Sequence, residues 1–310
     1  MSANRRIVLA GGSGFLGRSL AQSLLCEGYE VVVLTRGASK RSGPVDFAQW
    51  DGKTAGGWAS WLEEAEAVVN LTGKSVNCRY TPQARAEILD SRVDSVRALG
   101  DAIARCARPP QVFVQSGSLA IYGNAGDRIC TEESPQGSGF SADVCRQWEA
   151  AFDALPLPST RKVLLRIGFA LKRGEGALRM LEGLTRCFLG GTIGSGRQYM
   201  SWIHIADLDR MFMDALKRDD LSGVFNATGP APVPNEEFMR ELRSALHRPW
   251  SPPAAAWLVR LGARALGTEG NLALHGFRSL PERFLERGFR FRFPKLDAAL
   301  ADLYEPSVAA

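Results

Sequence analysis

Three glycines at three-residue steps, Gly11, Gly14 and Gly17, constrain this chain more than any other feature, because of what flanks them. The apolar run Ile7-Val-Leu-Ala10 comes directly before, and a helical pattern from Arg18 to Glu27 directly after. A buried strand that turns through glycine into a helix is a phosphate cradle. Gly11 allows the tight turn, Gly14 lets a pyrophosphate approach the backbone at the helix N-terminus, and Gly17 lets the helix pack closely on the strand. A turn without a ligand needs one permissive glycine, not three at these steps. The turn Gly11, Ser13, Gly14, Phe15, Leu16, Gly17 is therefore expected to hold a dinucleotide.

The alternation continues along the chain. Strands are expected at Val31–Leu34, Val45–Phe47, Val68–Leu71, Val112–Gln115 and Val163–Ile167, as apolar runs without polar alternation, which indicates burial on both faces. Helices are expected at Pro82–Ala107 and Asp143–Leu155, so the pattern is βαβα and the sheet is parallel. The fold class is thus α/β, a Rossmann-like doubly wound parallel sheet over residues 1–170. From about Gly174 the texture changes to glycine- and proline-rich loops with short helices at Asn235–Leu246, Pro281–Arg287 and Pro294–Leu303, which predicts a smaller C-terminal lobe over residues 171–310. Val224-Phe-Asn226 and Trp202–Ile205 are candidates for strands that return to the sheet.

Composition excludes several classes. The 310 residues are 45% hydrophobic and 23% charged, an ordinary globular balance with enough apolar material for a continuous core. The six cysteines include no C-x-x-C and the three histidines no metal-ligand spacing, so neither zinc nor any other bound metal is expected. No apolar run reaches spanning length, and the first one breaks into glycine after four residues, as a strand does and a signal peptide does not. Free thiols and no export signal predict a cytoplasmic protein with no membrane partner. The net charge of +5 is spread along the chain, which favours a small anionic ligand over a nucleic acid. A pI near 9.0 alone raises RNA binding, but no basic stripe with interleaved aromatics supports it.

The strand Val31-Val-Val-Leu-Thr35 ends in Arg36, with Lys40 and Arg41 close behind, where an acid would select NAD. A cation there suits a 2′-phosphate, so NADP(H) is the expected cofactor.

At these residues the chain resembles the extended and atypical short-chain dehydrogenase/reductases, and within them the epimerase-like, sugar-nucleotide-epimerase-related family. The motifs that carry the resemblance run nearly end to end: Ala10–Gly17, Val69-Asn-Leu-Thr-Gly73, Asp90-Ser-Arg92, Tyr122-Gly123, Trp148-Glu149, Leu165-Arg-Ile-Gly168, Gly194-Ser-Gly-Arg197, Ser201–Ile205 and Gly288–Pro294. The resemblance implies an NADP-binding domain with a C-terminal substrate lobe. It places Thr35 and Arg36 at the adenosine phosphate, Leu71 and Thr72 beside the cofactor ribose, and Asp51 near the adenine. It points Glu87 and Arg92 at the cofactor, the bland alternative being an exposed pair, and brings Arg166 to the nicotinamide side. By the same analogy a homodimer is possible.

Such enzymes use a serine, a tyrosine and a lysine four residues after it. The resemblance assigns the serine to Ser118, but puts the other two positions at Ser141 and Cys145, so the Tyr-x-x-x-Lys pair is absent. Tyr122 from the serine side, or a Cys145 thiolate, are the substitutes considered. Arg197 is a candidate for an anionic substrate group, Arg278 fits the pattern of the pocket wall, and His204 is a structural or catalytic histidine. The leading reading is an NADP(H)-dependent oxidoreductase or epimerase-like enzyme acting on a small or nucleotide-linked substrate. The alternative is an NADPH-sensing binding protein that has lost catalysis.

Overall fold

The computed structural model describes residues 5–265 and 267–305. In the first strand, β1 (Arg6–Ala10), Ile7 and Leu9 face one way and Val8 and Ala10 the other, and all four are fully buried. A strand apolar on both sides must be covered on both sides, and the layers follow from that.

The chain continues through α1 (Phe15–Cys26), β2 (Glu30–Thr35), β3 (Lys40–Ser42), β4 (Val45–Gln49), β5 (Ala67–Asn70), α2 (Pro82–Ile103), β6 (Val112–Ser118) and β7 (Ile129–Cys130). Next come α3 (Phe140–Asp153), β8 (Arg161–Ile167), β9 (Phe169–Leu171), α4 (Leu178–Arg186), β10 (Tyr199–Met200), β11 (Trp202–His204), α5 (Ile205–Lys217) and β12 (Gly223–Ala227). The last elements are β13 (Val233–Pro234), α6 (Asn235–Ala245), α7 (Ala256–Ala265), α8 (Asn271–Leu274), β14 (Arg278–Ser279), α9 (Glu282–Glu286) and α10 (Leu296–Tyr304).

Eight strands form the main sheet in the order β12-β8-β6-β5-β1-β2-β4-β3, parallel throughout except at the β3 edge. On one face Leu20 and Leu24 of α1 and Leu208, Met211 and Phe212 of α5 pack on Ile7, Leu9, Val31 and Val33. On the other, Val96 and Leu99 of α2 and Trp148 and Phe152 of α3 pack on Val8, Val32, Val68 and Phe113. Each such buried side chain contributes about 1.5–3 kcal/mol, so the sheet is held from both sides. A separate core of Leu178, Trp202, Phe238, Leu242 and Leu300 joins α4, α6 and α10.

The doubly wound parallel sheet is as expected, and Val224–Asn226 does join it, as β12 beside β8. Trp202–Ile205 does not. As β11 it pairs with β9 in a small parallel sheet, and His204 ends the strand by capping α5, its Nδ1 accepting from Ala206 N at 3.2 Å. Lys40 and Arg41 sit on the hairpin strand β3. Asn235 does not cap α6: its side-chain Oδ1 accepts from Ile193 N at 2.8 Å, and Pro234 takes the cap position. Among the described residues no helix is long and apolar enough to cross a membrane, and no acid, thiol and imidazole cluster could hold a metal ion.

Candidate functional site

From β1 the chain winds outward through β2 and β4, then returns to place β5 on the opposite side of β1. That reversal opens a crevice at the C-terminal ends of β1 and β5, where open parallel sheets bind ligands. The glycines shape its floor. At Gly11, with φ +74°, a Cβ would stand 3.0 Å from the Leu71 and Thr72 backbone, so glycine lets the two turns meet. A Cβ at Gly17 would fall 2.4 Å from Gly12 Cα. Gly14 differs: a Cβ there would approach no atom closer than Gly11 O at 3.4 Å, so the protein itself does not demand glycine, and the space beside it lies open to a ligand.

The start of α1 has the chemistry of an anion seat. No side chain caps it and no acid stands in its first turn. Its first N–H groups and the positive end of its dipole therefore face the crevice. Phe15 and Leu16 are partly buried, their side chains packed against the edge of the sheet core, and their backbone stands at the helix start. Ser13 is exposed, its hydroxyl 3.4 Å from Thr35 Oγ1 at the end of β2. Arg36 follows, exposed and in no ion pair among the described residues. Leu71 N donates to Ala10 O at 2.8 Å, and Thr72 N to Asn70 Oδ1 at 3.0 Å. The Thr72 hydroxyl is buried with no partner, a group that a bound molecule would satisfy.

Asp51 lies on the same rim but turns its carboxylate into its own loop. It accepts from Thr54 Oγ1 at 2.6 Å and from the amides of Lys53 and Thr54, and those bonds, the hydroxyl first, lower its pKa to about 2. It shapes the rim and is not a free acceptor. Glu87 and Arg92 do not pair with each other. Glu87 forms an ion pair with Lys74, and Arg92 donates to the carbonyls of Lys74 at 3.0 Å and Ile88 at 2.9 Å while lying over the Trp148 ring. Arg92 braces the loop after β5 from beneath. Lys74 carried no sequence signal beyond its place after Gly73.

Around α3 the expectations meet larger corrections. Arg166 does not reach the crevice: it is buried, clamped by Glu149 through bonds of 2.9 and 2.8 Å, and donates to Tyr122 Oη at 2.9 Å. Burial alone would lower its pKa, but Glu149 holds it above the ordinary arginine value. Tyr122 is fully buried, its hydroxyl within 2.8 Å of both the Thr131 carbonyl and Asn226 Oδ1. Burial raises its pKa. A phenol so enclosed is a core hydrogen bond, not a proton carrier for substrate. Cys145 is likewise excluded as a thiolate, because burial, with Glu149 adding to it, pushes its thiol up to about 12.

Ser118 remains. It ends β6, half-buried, and its Oγ accepts from Ala120 N at 3.2 Å, which leaves its own O–H to donate elsewhere. Tyr80 was missed by the sequence reading. Its ring meets Phe140 edge-on at 4.9 Å, and its hydroxyl is buried beside Ser141 without a well-formed hydrogen bond. A phenol thus stands next to the position where the resemblance implied one, supplied by the loop after β5 and not by α3. Burial raises its pKa, so it stays protonated at neutral pH. Only its neighbourhood in three dimensions reveals it. In the C-terminal half Arg197 is exposed, and Arg278 lies over the Tyr199 ring with its Nε buried and unpartnered. His204 is structural: besides capping α5 it stacks on Phe293, with Nε2 3.4 Å from Asp302.

Residues 7–142 match the NAD dependent epimerase/dehydratase family, and residues 254–303 match a domain of unknown function, DUF1731. Over 304 residues the chain is 36% identical to the epimerase family protein SDR39U1 of Bos taurus, covering 96% of this chain and 99% of that one. The chloroplastic SDR39U1 homolog of Arabidopsis thaliana is 34% identical over 301 residues, covering 95% of this chain and 85% of that one. The crystal structure of human SDR39U1 (isoform2) with NADPH superposes with a TM-score of 0.86 at 32% identity, covering 97% of this chain and 99% of that one.

Proposed function

The chain belongs to the NAD-dependent epimerase/dehydratase family, and from that premise we propose that it binds NADP(H) and acts as an oxidoreductase or epimerase on a small-molecule substrate. The uncapped start of α1 carries this reading, open at Gly14 and flanked by the unpartnered Thr72 hydroxyl and the exposed Arg36. Gly11, Gly14 and Gly17 with the first N–H groups of α1 hold the pyrophosphate, Ser13, Thr35 and Arg36 the adenosine phosphate, and Leu71 and Thr72 the ribose. The human relative solved with NADPH supports this choice of dinucleotide. When bound, the cofactor supplies or accepts hydride. Ser118 donates a hydrogen bond to a substrate oxygen and so polarises the C–O bond, and Tyr80, kept neutral by burial, is the candidate second donor. Six free cysteines suit a reducing compartment such as the cytoplasm.

The test is titration with NADPH and NADH, before and after Arg36→Ala. A charge-assisted bond to the 2′-phosphate contributes roughly 1.5–3 kcal/mol, so the NADPH preference should fall about tenfold to a hundredfold. An unchanged ratio would sink the assignment of Arg36. One observation favours the second reading, an NADPH-responsive binding protein: α3 presents Ser141 and a buried thiol in place of a phenol and a cation. Tight NADPH binding with no hydride transfer to any carbonyl or sugar-nucleotide substrate would select it.

A further inference from the structure

A cavity of about 660 Å³ lies between the loop after β5 and α7, lined by Arg79, Trp257, Arg260, Leu261, Arg264 and Glu269 among others. Its size is that of a small-ligand site. Glu269, its one carboxylate, already accepts from Tyr80 N at 2.8 Å, which ties the turn after α7 to the loop carrying Tyr80. Three arginines line the cavity, and among the described residues none of the three takes part in an ion pair. Arg260 and Arg264 are one turn apart on α7, and Arg79 approaches from the other wall. Planar guanidinium groups hold carboxylate or phosphate oxygens bidentately. Trp257 is 65% exposed and Leu261 58%, and α7 buries no residue, so this apolar surface is covered by nothing else in the described chain. Exposed apolar groups beside converging cations mark a site for a molecule with both characters.

A sugar needs side chains that accept and donate to its hydroxyls. Apart from the arginines, the cavity offers only Thr268 and Glu269, a carboxylate that accepts but cannot donate. We propose that this cavity takes an amphipathic organic anion, a carboxylate or phosphate held by Arg79, Arg260 and Arg264 with an aromatic or aliphatic body against Trp257 and Leu261, in preference to a sugar nucleotide. The binding itself does not rest on the NADP(H) reading.

Calorimetry on the full chain without NADPH tests it, with 2-naphthyl phosphate, 2-naphthoate, inorganic phosphate and UDP-glucose as probes. Binding of either naphthyl anion is expected, weakened at least tenfold by Trp257→Ala and by the double change Arg260→Glu/Arg264→Glu. NADPH affinity, measured separately on the same variants, should not move, which also reports that they fold. Inorganic phosphate binding as tightly as the naphthyl anions, UDP-glucose binding more tightly, or no binding by any probe would each overturn the proposal. None of these results bears on the dinucleotide crevice, so the two readings fail separately.

Discussion

Along the β1 and β5 rim of the crevice, polar groups stand open, whereas around α3 the same residue types close on one another. At the first, α1 has no cap, Thr72 Oγ1 no partner, and Arg36 extends from the end of β2. At the second, Arg166 is bonded twice to Glu149 and once to Tyr122, whose hydroxyl meets Asn226 and Thr131 in turn. An arginine and a tyrosine therefore cannot be assigned to chemistry by type or motif. What decides is whether the protein has already satisfied their hydrogen bonds. The rim keeps groups that can bind, and the closed network is core.

The comparison breaks most sharply at Arg166. Arg166→Met leaves Glu149 buried without its partner and should cost about 3–5 kcal/mol in chemical denaturation, while the double change Arg166→Met/Glu149→Leu should recover most of it. A single variant as stable as the parent would show that the network is not closed. On the open rim, Gly17→Ala drives a methyl to 2.4 Å from Gly12 Cα and should cost about 3 kcal/mol, with loss of NADPH binding. Binding that survives would separate the glycine spacing from the phosphate seat.

The open rim also has a titratable footing, since Asp209 of α5 accepts from Ser19 and Ser23 of α1 at 2.8 and 3.0 Å. Burial raises its pKa to about 6, so the folded chain holds this proton more tightly than the unfolded one. The sign follows: this contribution is largest below about pH 4 and is lost as pH rises through about 6, a change of about 3 kcal/mol. Asp209→Asn should remove that slope and leave the protein more stable at pH 7, as thermal unfolding across pH 4–7 would record. The smallest effect is expected from Tyr122→Phe, about 1 kcal/mol for a hydrogen bond, with NADPH affinity unchanged. If Tyr122→Phe abolished turnover on a substrate once found, Tyr122 would return to the site.

Much of this was legible in the sequence. Unbroken β-branched runs forced strands buried on both faces, and three glycines between strand and helix had one good structural use. The helix start at Pro82 read correctly because helix initiation is local: Thr81 Oγ1 accepts from Ala84 N at 3.1 Å. Trp202–Ile205 read as a strand for the right reason but joined another sheet, because partner choice depends on β9, more than thirty residues away. Tyr80 gave no signal at all. Its relation to Ser141 spans sixty residues and exists only after α2 and α3 pack together.

What the sequence alone determined is whatever depends on neighbours within a turn or a strand: the layer order, the glycine turn between β1 and α1, and the cation after β2. Tertiary structure decided which polar side chains remain free to act. Hydrogen-bond satisfaction is a property of pairs, and the pairs that matter here, Arg166 with Glu149, Tyr122 with Asn226 and Lys74 with Glu87, join residues 17, 104 and 13 positions apart. Residue type sets what a group can donate or accept, and only the packed fold sets whether a partner has already taken it.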